Sequence, residues 1–519
     1  MSRVARTRVG NIRLTAAGRK QLADAGFGQA YEGSSTGRRM RGFQASSGGP
    51  NAVISGNVST IRRRVRQLVR NNSWARSGIE ALVSEYIGSG IKPMSQAEDA
   101  AFQAASQVVW NDWIGESDRD GITTFYGLQA LVAREVYEAG ECFVRQLHVD
   151  PDDTDAVPVH LQLIEPEQVP LELNGMTPAG NMIRQGIETD PTGRRVAYHM
   201  YSQHPEDAVI SFDAAQIIRV PASEILHVFK PLRAGQMRGI PSLAPVLVKL
   251  FDMDGYEDAE LIRKKTAAMF AGFITTPEPE DGPPNLTATE RSGAVEGTAE
   301  AGLEAGTMWR LGIGEDVTFS SPADLGGAYN DFLRWNLRGF AAGVGATYEQ
   351  VTGDLTGVNF SSIRAGLLKF RRAMRMDQQQ IMAHQLCRPV WRTVINTAVL
   401  GGYLSAPGMA NNPAAWRRVR WMAEGWEWVD PVKEQLAEQS AVRNGFTSRR
   451  SVAARLGRDI DEIDQEITED NARADELGLV FDSDPRRTAK SGSAQAMETS
   501  FATEPEQEPG TRNTTGSAG

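Results

Sequence analysis

One long helical pattern constrains the fold of this chain more than any other stretch. It begins at two capping candidates, Ser361 and Ser362, and runs to Leu400. Its apolar residues recur along a helical stripe and are Ile363, Leu367, Phe370, Met374, Ile381, Leu386, Val390 and Val394. The pattern predicts a rod of roughly 60 Å at about 1.5 Å per residue, with a kink before Pro389. Few globular domains need so long a rod.

The predicted helix is also basic, with Asp377 as its single acid. The cations in its first half form one candidate binding face, which consists of Arg364, Lys369, Arg371, Arg372 and Arg375. Such a face would meet a polyanion or acidic neighbouring subunits. The alternative is a solvated helix face without any partner.

A polar segment with two glycines leads into this helix, and we predict that it is a loop from Tyr348 to Asn359. Gly353 and Gly357 give its backbone freedom. The residues of interest in it are Tyr348, Gln350, Thr352, Gly353, Asp354, Thr356, Gly357 and Asn359. Most of them are uncharged hydrogen-bonding groups, which can contact phosphates without a strong fixed attraction. The alternatives are an ordinary surface loop and a subunit-interface segment.

Charge is distributed unevenly along the 519 residues, whose formal net charge is −10. Residues 1–72 carry 14 Arg or Lys against Asp24 and Glu32, whereas residues 277–306 carry seven acids against one arginine. The net charge argues against a simple basic DNA-binding module, so the local segments are more informative than the sum. Residues 1–57 lack periodicity and are predicted to be a flexible basic arm, and residues 483–519 a disordered tail.

Motifs for metal, nucleotide or membrane binding do not occur in the sequence. No H-x-x-x-H, H-E-x-x-H, C-x-x-C or G-x-x-x-x-G-K-[ST] pattern is present, and the acids lack the clustered spacing of a nuclease. No apolar run reaches the roughly 18 residues of a membrane span. The two cysteines, Cys142 and Cys387, offer no disulfide framework and are typical of a reducing cytosol. We therefore predict no metal, no cofactor, no membrane contact and no enzymatic activity.

Helical and β-rich patterns alternate in the first half of the chain. Two short helices are predicted from near Ser59 to residue 87, and a further helical region spans residues 97–139. Trp110 and Trp113 in this region are expected to be buried packing residues. Short β-rich runs between residues 140 and 231 predict an antiparallel sheet among the helices.

Further elements flank the long rod. A helix capped by Ser242 runs to Ala268, short strands lie on either side of the acidic insertion, and another helix spans Ala328 to Val344. Arginines and four tryptophans then cluster after residue 401, namely Trp416, Trp421, Trp426 and Trp428. Such clusters usually bury tryptophan or form interfaces, and stacking on nucleobases is the alternative.

Several of these segments resemble the portal proteins of tailed bacteriophages, in the family typified by phage lambda. The block ATYEQVTGDLTGVNFSSIRAGLLKFRR, around the predicted loop, carries the strongest likeness. LVRNN followed by IGSGIKP, then LIEP, GQMRGI and DPVKE, add to it in the expected order. The resemblance covers roughly Ser59 to Leu479.

This resemblance implies an α+β fold: a portal-like subunit with a mixed α/β wing, a two-helix stem, a small β-containing clip, a long spine helix and a helical C-terminal crown. The implied parts are the flexible arm (1–57), the first part of the wing (58–240), the first stem helix (241–268), the clip (269–326), the second stem helix (327–346), the tunnel loop (347–360), the long wing helix with the Trp-rich segment (361–430), the crown (431–482) and the tail (483–519).

It also implies a function. Identical subunits, usually twelve, would form a ring at one capsid vertex and give the channel for packaging and ejection of double-stranded DNA. The tunnel-loop residues would face that DNA. The partners would be the terminase large subunit, the major capsid or scaffold protein and a head-tail connector protein, and assembly would take place in the host cytoplasm. The alternatives are another ring-forming head-tail adaptor, or a nuclease or protease of the packaging machinery.

Overall fold

The structure is a computed structural model that describes residues 48–207, 216–268, 272–275, 316–319, 328–426 and 431–481, with a few isolated positions before residue 48. Among these positions, strands β1 (Thr7–Val9) and β2 (Ile12–Leu14) pair antiparallel. Most of the predicted arm, the acidic insertion and the predicted tail lie outside the described residues. The described part is a mixed α/β fold.

Helices dominate the start of the well-described region. They are α1 (Pro50–Asn71), α2 (Ser73–Ile87), α3 (Ala100–Glu116) and α4 (Phe125–Glu138), with strand β3 (Lys92–Ser95) between α2 and α3. The two predicted helices before residue 88 are confirmed, but the first begins at Pro50 and not near Ser59. Proline suits the first turn of a helix because its φ is already helical and its missing N–H needs no partner there. Asn72 ends α1 and caps α2 by accepting from the Ala75 amide at 2.9 Å.

The β-rich runs form two antiparallel sheets where the sequence predicted one. β4 (Glu141–His148), β5 (Val159–Ile164) and β11 (Ile225–Phe229) make a three-stranded sheet in the order β11-β4-β5. The second sheet has the order β10-β9-β8-β7-β6 and contains β6 (Gly175–Met176), β7 (Met182–Arg184), β8 (Ile187–Thr189), β9 (Arg195–Tyr201) and β10 (Ile217–Pro221). Short 3₁₀ turns lie at Pro151–Asp153 and Pro166–Gln168. A buried apolar cluster that includes Phe143, Ile187 and Tyr198 joins the two sheets.

A pair of helices follows the sheets. α5 (Leu247–Ala268) leads to strand β12 (Gly272–Thr275), which pairs antiparallel with β13 (Asp316–Phe319), and α6 (Ala328–Val344) returns. The predicted bounds of α6 are confirmed. The expected cap at Ser242 is wrong, since its amide donates to the Tyr137 carbonyl at 2.9 Å and α5 starts five residues later.

The long rod is present, but its winding changes along its length. It consists of α8 (Phe360–Asp377), a π-helical segment (Gln378–Cys387) and α9 (Arg388–Leu400), and it is preceded by the short helix α7 (Tyr348–Thr352). Asn359 caps α8, in place of the expected Ser361 and Ser362, by accepting from the Ser362 amide at 2.9 Å. The sequence predicted a kink before Pro389, and the structure has ten residues of π-helix, Gln378–Cys387, directly before Arg388 and Pro389.

The C-terminal part adds α10 (Pro413–Trp416), β14 (Val419–Met422), α11 (Pro431–Arg443), α12 (Arg449–Arg455) and α13 (Ile460–Glu476). β14 pairs antiparallel with β3 and so joins distant parts of the chain.

The predicted packing role of the early tryptophans is confirmed. Trp110 and Trp113 are fully buried, and the Trp110 ring lies 5.2 Å from Trp391 and 6.3 Å from Trp421 between centroids. Trp421 is therefore a core residue and no platform for bases, while Trp428 lies outside the described residues. None of the helices in the described ranges is long and apolar enough to cross a membrane.

Candidate functional site

The segment before α8 is more ordered than the predicted loop. Its first five residues form α7, which begins with a capping box: the Thr347 hydroxyl accepts from the Gln350 amide, and the Gln350 side chain accepts from the Thr347 amide. Such reciprocal bonds satisfy backbone donors that a helix start leaves free. The segment T-Y-E-Q carries this signal in the sequence, where we read only a loop. Gly353 ends α7 at a φ of 68°, a left-handed conformation that favours glycine.

Contacts to α2 fix α7 in place. The Ser77 hydroxyl donates to the Val351 carbonyl at 2.6 Å, and the side-chain Nε2 of Gln350 donates to the Glu85 carboxylate at 3.3 Å. The Thr352 hydroxyl donates to the Tyr348 carbonyl at 2.8 Å, so it closes the helix on itself. Of the predicted loop, this leaves residues 353–359 outside helical structure.

Asp354 organises this remaining stretch. Its carboxylate accepts hydrogen bonds from the Thr356 hydroxyl and amide and from the Tyr348 hydroxyl, and it pairs with Arg334 of α6 at 3.2 Å. The bonds from Thr356 and Tyr348, with Arg334 nearby, lower the pKa of Asp354 to about 2. The carboxylate is therefore ionised near pH 7, and the guanidinium of Arg334 offsets part of its negative charge.

A cleft of about 160 Å³ lies between α6, this segment and the start of α8. Arg334, Arg338, Asp354 and Ser362 are among the residues that line it. The Arg338 guanidinium lies 5.6 Å from the centroid of the Tyr348 ring, a cation–π distance. The structure therefore brings the predicted segment together with two arginines of α6, which sequence spacing did not indicate.

The candidate basic face of α8 divides into three parts. Arg364 pairs with Glu434 of α11 at 3.2 Å, and Arg371 and Arg375 lie 5.7 Å and 5.2 Å from the centroid of the Trp426 ring. Lys369 and Arg372 are exposed and have no ion-pair partner among the described residues. The five cations thus do not act as one uniform surface, since three of them are engaged within the subunit.

Arg62 of α1 belongs to the basic first part of the sequence, but its side chain is buried. Its guanidinium contacts the Glu141 carboxylate at 2.9 Å, and Arg238 contacts the same oxygen at 2.8 Å. The other Glu141 oxygen accepts from the His227 imidazole at 2.9 Å and from the Gly239 amide at 2.8 Å. This buried charge cluster ties α1, β4, β11 and the loop before α5 together, and it has a structural role.

Two of its groups titrate far from their usual pH. Burial alone would raise the pKa of Glu141, but Arg238, His227 and Arg62 hold it well below its ordinary value. Burial lowers the pKa of His227 to about 4, although Glu141 opposes this shift. His227 is therefore neutral near pH 7, with one ring nitrogen facing Glu141 and the other facing Arg195 at 2.8 Å.

One group of metal-ligand side chains occurs within the described ranges, although the sequence motifs predicted none: Glu165, Glu167 and His204. The Arg66 Nη2 lies 3.2 Å from each of the two carboxylates. The guanidinium supplies the positive charge that an ion would supply, so the arrangement is an internal ion-pair cluster. Nearby, burial raises the pKa of Glu135 to about 7, against the opposing effect of Arg66.

Comparison with known proteins shows the family of this chain. Residues 36–378, the larger part of the chain, match the family described as phage portal protein, lambda family. This protein is a structural component of a phage virion, as portal proteins are. It belongs to the lambda family of phage portal proteins.

Individual relatives carry the same description. The chain is 28% identical over 84% of its length, and 84% of the relative, to a "Probable portal protein" of Halomonas phage phiHAP-1. It is 22% identical to the portal protein of Escherichia phage N15 and 21% identical to portal protein B of Escherichia phage lambda, in each case over 83% of this chain and 87% of the relative. A chain of the neck of a native GTA particle, computed with C12 symmetry, superposes with a TM-score of 0.45 and 14% identity over 76% of this chain and 94% of that one.

Proposed function

We propose that this protein assembles into a homo-oligomeric ring, with twelve subunits as the family implies, and forms the DNA channel at one capsid vertex. In this proposal α5 and α6 are the stem, β12 and β13 belong to the clip, the two sheets with α1–α4 form the first part of the wing, α8 to α9 are the spine, and α11–α13 are the crown. The subunit performs no covalent chemistry. A terminase motor and a head-tail connector would dock on the ring, as portal function requires.

The observation that carries the ring is the apolar surface of α5 and α6. Phe251 of α5 is 68% exposed and Trp335 of α6 is 70% exposed, and Val248 and Ile262 of α5 are also exposed. Val248, Phe251 and Ile262 fall on one stripe of α5, at i, i+3 and i+14. A monomer in water rarely exposes so many large apolar side chains on adjacent helices, and such patches mark protein interfaces.

Imaging of the purified protein tests the ring. Negative-stain micrographs are expected to show rings with a central channel. Phe251→Asp and Trp335→Asp should shift the protein to subunits in sedimentation, because each buries a charge in the proposed interface. Phe446→Asp is the matched control, since Phe446 is 84% exposed but lies between α11 and α12. Rings that survive both stem substitutions would contradict this assignment of the interface.

We also propose that residues 353–359, with Tyr348 and Gln350 of α7 behind them, line the channel and touch DNA. The support is chemical: Thr356 and Asn359 are uncharged, and Arg334 offsets part of the negative charge of Asp354. Contacts of this kind with phosphates are weak and easily remade, so the segment would act as a collar and not as the source of force.

Deletion of residues 353–357 separates this role from the alternatives. Rings should assemble, while packaging or retention of full-length DNA with the cognate motor should fail. A five-residue deletion within the tail, residues 505–509, serves as the control and should package normally. Normal packaging by rings that lack residues 353–357 would show that this segment has no role in the channel. Loss of assembly would show that the segment belongs to a subunit interface.

A further inference from the structure

A second cavity, of about 490 Å³, lies where the end of α8, the π-helical segment, β14 and α12 meet. Arg375, Arg388, Arg420, Trp421, Trp426 and Ala454 are among the residues that line it. This volume lies within the range of roughly 300–1,000 Å³ that is typical of binding pockets. Nothing described above gives the cavity a role.

The rim of the cavity carries uncompensated positive charge. In the described part of the chain neither the Arg388 nor the Arg420 side chain has an ion-pair or hydrogen-bond partner, and both residues are exposed. Arg455 is already paired with Glu438 of α11 at 2.5 Å, and Glu424 accepts from the Ser89 amide at 2.5 Å. The lining therefore carries the unpaired guanidinium groups of Arg388 and Arg420 against the single carboxylate of Glu424, and its net charge is positive.

The floor of the cavity is apolar and has one unused donor. Trp421, Met422 and Ala454 are buried there. The Trp421 indole Nε1–H is buried and has no acceptor within the described residues. A concave pocket with an apolar floor and a cationic rim suits an inserted chain segment that carries both an apolar side chain and carboxylates. It suits a DNA duplex less well, because the convex duplex would reach only the rim.

The end of the crown has this chemistry. Leu479, Val480 and Phe481, the last described residues, are all about half exposed, although all three are apolar. Asp482 and Asp484 follow them directly in the sequence. The segment Leu479–Asp484 thus places two carboxylates beside an apolar group, which is the complement of the cavity.

The same subunit is poorly placed to fill its own cavity. Ala454 and Arg455, at the end of α12, line the cavity, and α13 begins shortly afterwards. Asp461 and Asp464 of α13 pair with Arg450 and Arg449 at the start of α12, so α13 runs back past α12 and away from the cavity. Its 17 residues span about 25 Å at about 1.5 Å per residue. Leu479 remains attached to its end by a bond from its amide to the Ala474 carbonyl at 2.9 Å.

We propose that the cavity receives the segment Leu479–Asp484 of a second copy of this chain. Phe481 enters the apolar floor, and Asp482 and Asp484 pair with Arg388 and Arg420. This contact rests on the proposed ring, in which copies lie side by side, and it adds a crown-to-wing link that is separate from the stem helices.

Disulfide trapping tests the contact with the full chain. Val419 lines the cavity and Val480 is exposed, while the native Cys142 and Cys387 are fully buried. Val419→Cys protein and Val480→Cys protein are mixed before assembly and oxidised with copper phenanthroline. A covalent dimer is expected on a non-reducing gel from the mixture and not from either protein alone.

Charge substitutions test the recognition. Adding Arg388→Asp and Arg420→Asp to the Val419→Cys chain should reduce the dimer yield about tenfold, because both ion pairs become repulsive. Arg372→Asp on the same chain is the matched control and should leave the yield unchanged, since Arg372 is exposed on α8 but does not line the cavity.

Three results would overturn the proposal. A doubly substituted chain, with both Val419→Cys and Val480→Cys, is oxidised in parallel. If it forms only an intrachain disulfide, while the mixture of the two single variants gives no dimer, the cavity binds the crown of its own subunit. Binding of a short DNA oligonucleotide that needs Arg388 and Arg420, without any trapped dimer, would assign it to nucleic acid. If the mixed cysteine variants form rings in negative stain but give no covalent dimer, this contact is rejected and the proposed function stands. If the parent protein forms no rings, the proposed function itself is rejected.

Discussion

Replacement of Glu141 by Gln tests the buried charge cluster most directly. The substitution keeps the shape of the side chain and removes its charge. Arg62 and Arg238, which are 1% and 0% exposed, would then remain buried without their carboxylate. His227 and the Gly239 amide would lose a charged acceptor, because both bond to the second Glu141 oxygen.

The expected cost follows from this geometry. Breaking a buried ion pair by removing one partner costs about 3–5 kcal/mol, since the remaining charge is left without compensation. Here two guanidinium groups share one carboxylate, so we expect the upper part of that range. Against a total stability of about 5–15 kcal/mol for a typical domain, this is a severe loss. A loss of about 4–5 kcal/mol in a cooperative unit of about 150–250 residues corresponds to a fall in Tm of about 8–20 °C.

Thermal unfolding followed by circular dichroism, at pH 7.5 and at a matched assembly state, measures this effect. Glu466→Gln is the control, because it removes the same charge from the Arg458–Glu466 pair, in which both side chains are more than half exposed. Such surface pairs contribute about 0–1 kcal/mol. If the two variants unfold within a degree or two of each other, the buried cluster does not hold the fold together and the reasoning is refuted.

Three further predictions concern other parts of the subunit. Folding lowers the pKa of His227 from 6.5 to about 4, so the free energy of unfolding should be unaffected by this group above about pH 6.5 and should fall by up to about 3 kcal/mol as the pH decreases towards 4. Urea titrations of His227→Gln should show a smaller loss of stability in acid than the parent protein, and an equal loss would contradict the assignment. Phe370→Ala should cost about 3–5 kcal/mol because Phe370 is buried, whereas Leu368→Ala on the exposed face should cost little, and unchanged melting of both would place the stripe in solvent. Deletion of residues 485–519 should leave rings intact in sedimentation, since that tail has too few apolar residues to offset the entropy of ordering it, and monomers alone would show that it belongs to an interface.

Local periodicity predicted most of the longer helices of the subunit. The bounds of α6 and the general extent of the rod follow from apolar residues that recur every three or four positions. The change to a π-helix at Gln378–Cys387 could not be read in this way, because ten residues are too few to distinguish its wider period from an α-helix with irregular apolar spacing. Two helix starts were readable but missed: Pro50 at the first turn of α1, and the capping box from Thr347 to Gln350.

Contacts between distant residues could not be predicted from one sequence. Arg62 lies in a run of arginines that looks like a phosphate-binding face, but Glu141, its partner, is 79 residues away. The same holds for Asp354, whose charge is partly offset by Arg334 across the turn between α6 and α8. In both cases the sequence alone does not show the partner, because only the fold brings the two side chains close together. The cavity between α8, β14 and α12 likewise depends on the pairing of β14 with β3.

The bonds between α2 and the rod limit how the proposed channel collar can deform. Val351 of α7 is fastened to Ser77, and the far end of α8 is fastened to Tyr86, whose hydroxyl donates to the Asp377 carbonyl at 3.2 Å and whose own carbonyl accepts from Gln378 at 2.9 Å. α2 is thus bonded both to α7 and to the far end of α8, so it braces the two helices against each other. In the proposed ring, a load that bent α8 relative to α7 would strain these bonds. Residues 353–359 lie outside helical structure, so passing DNA would displace them more easily than the braced helices behind them.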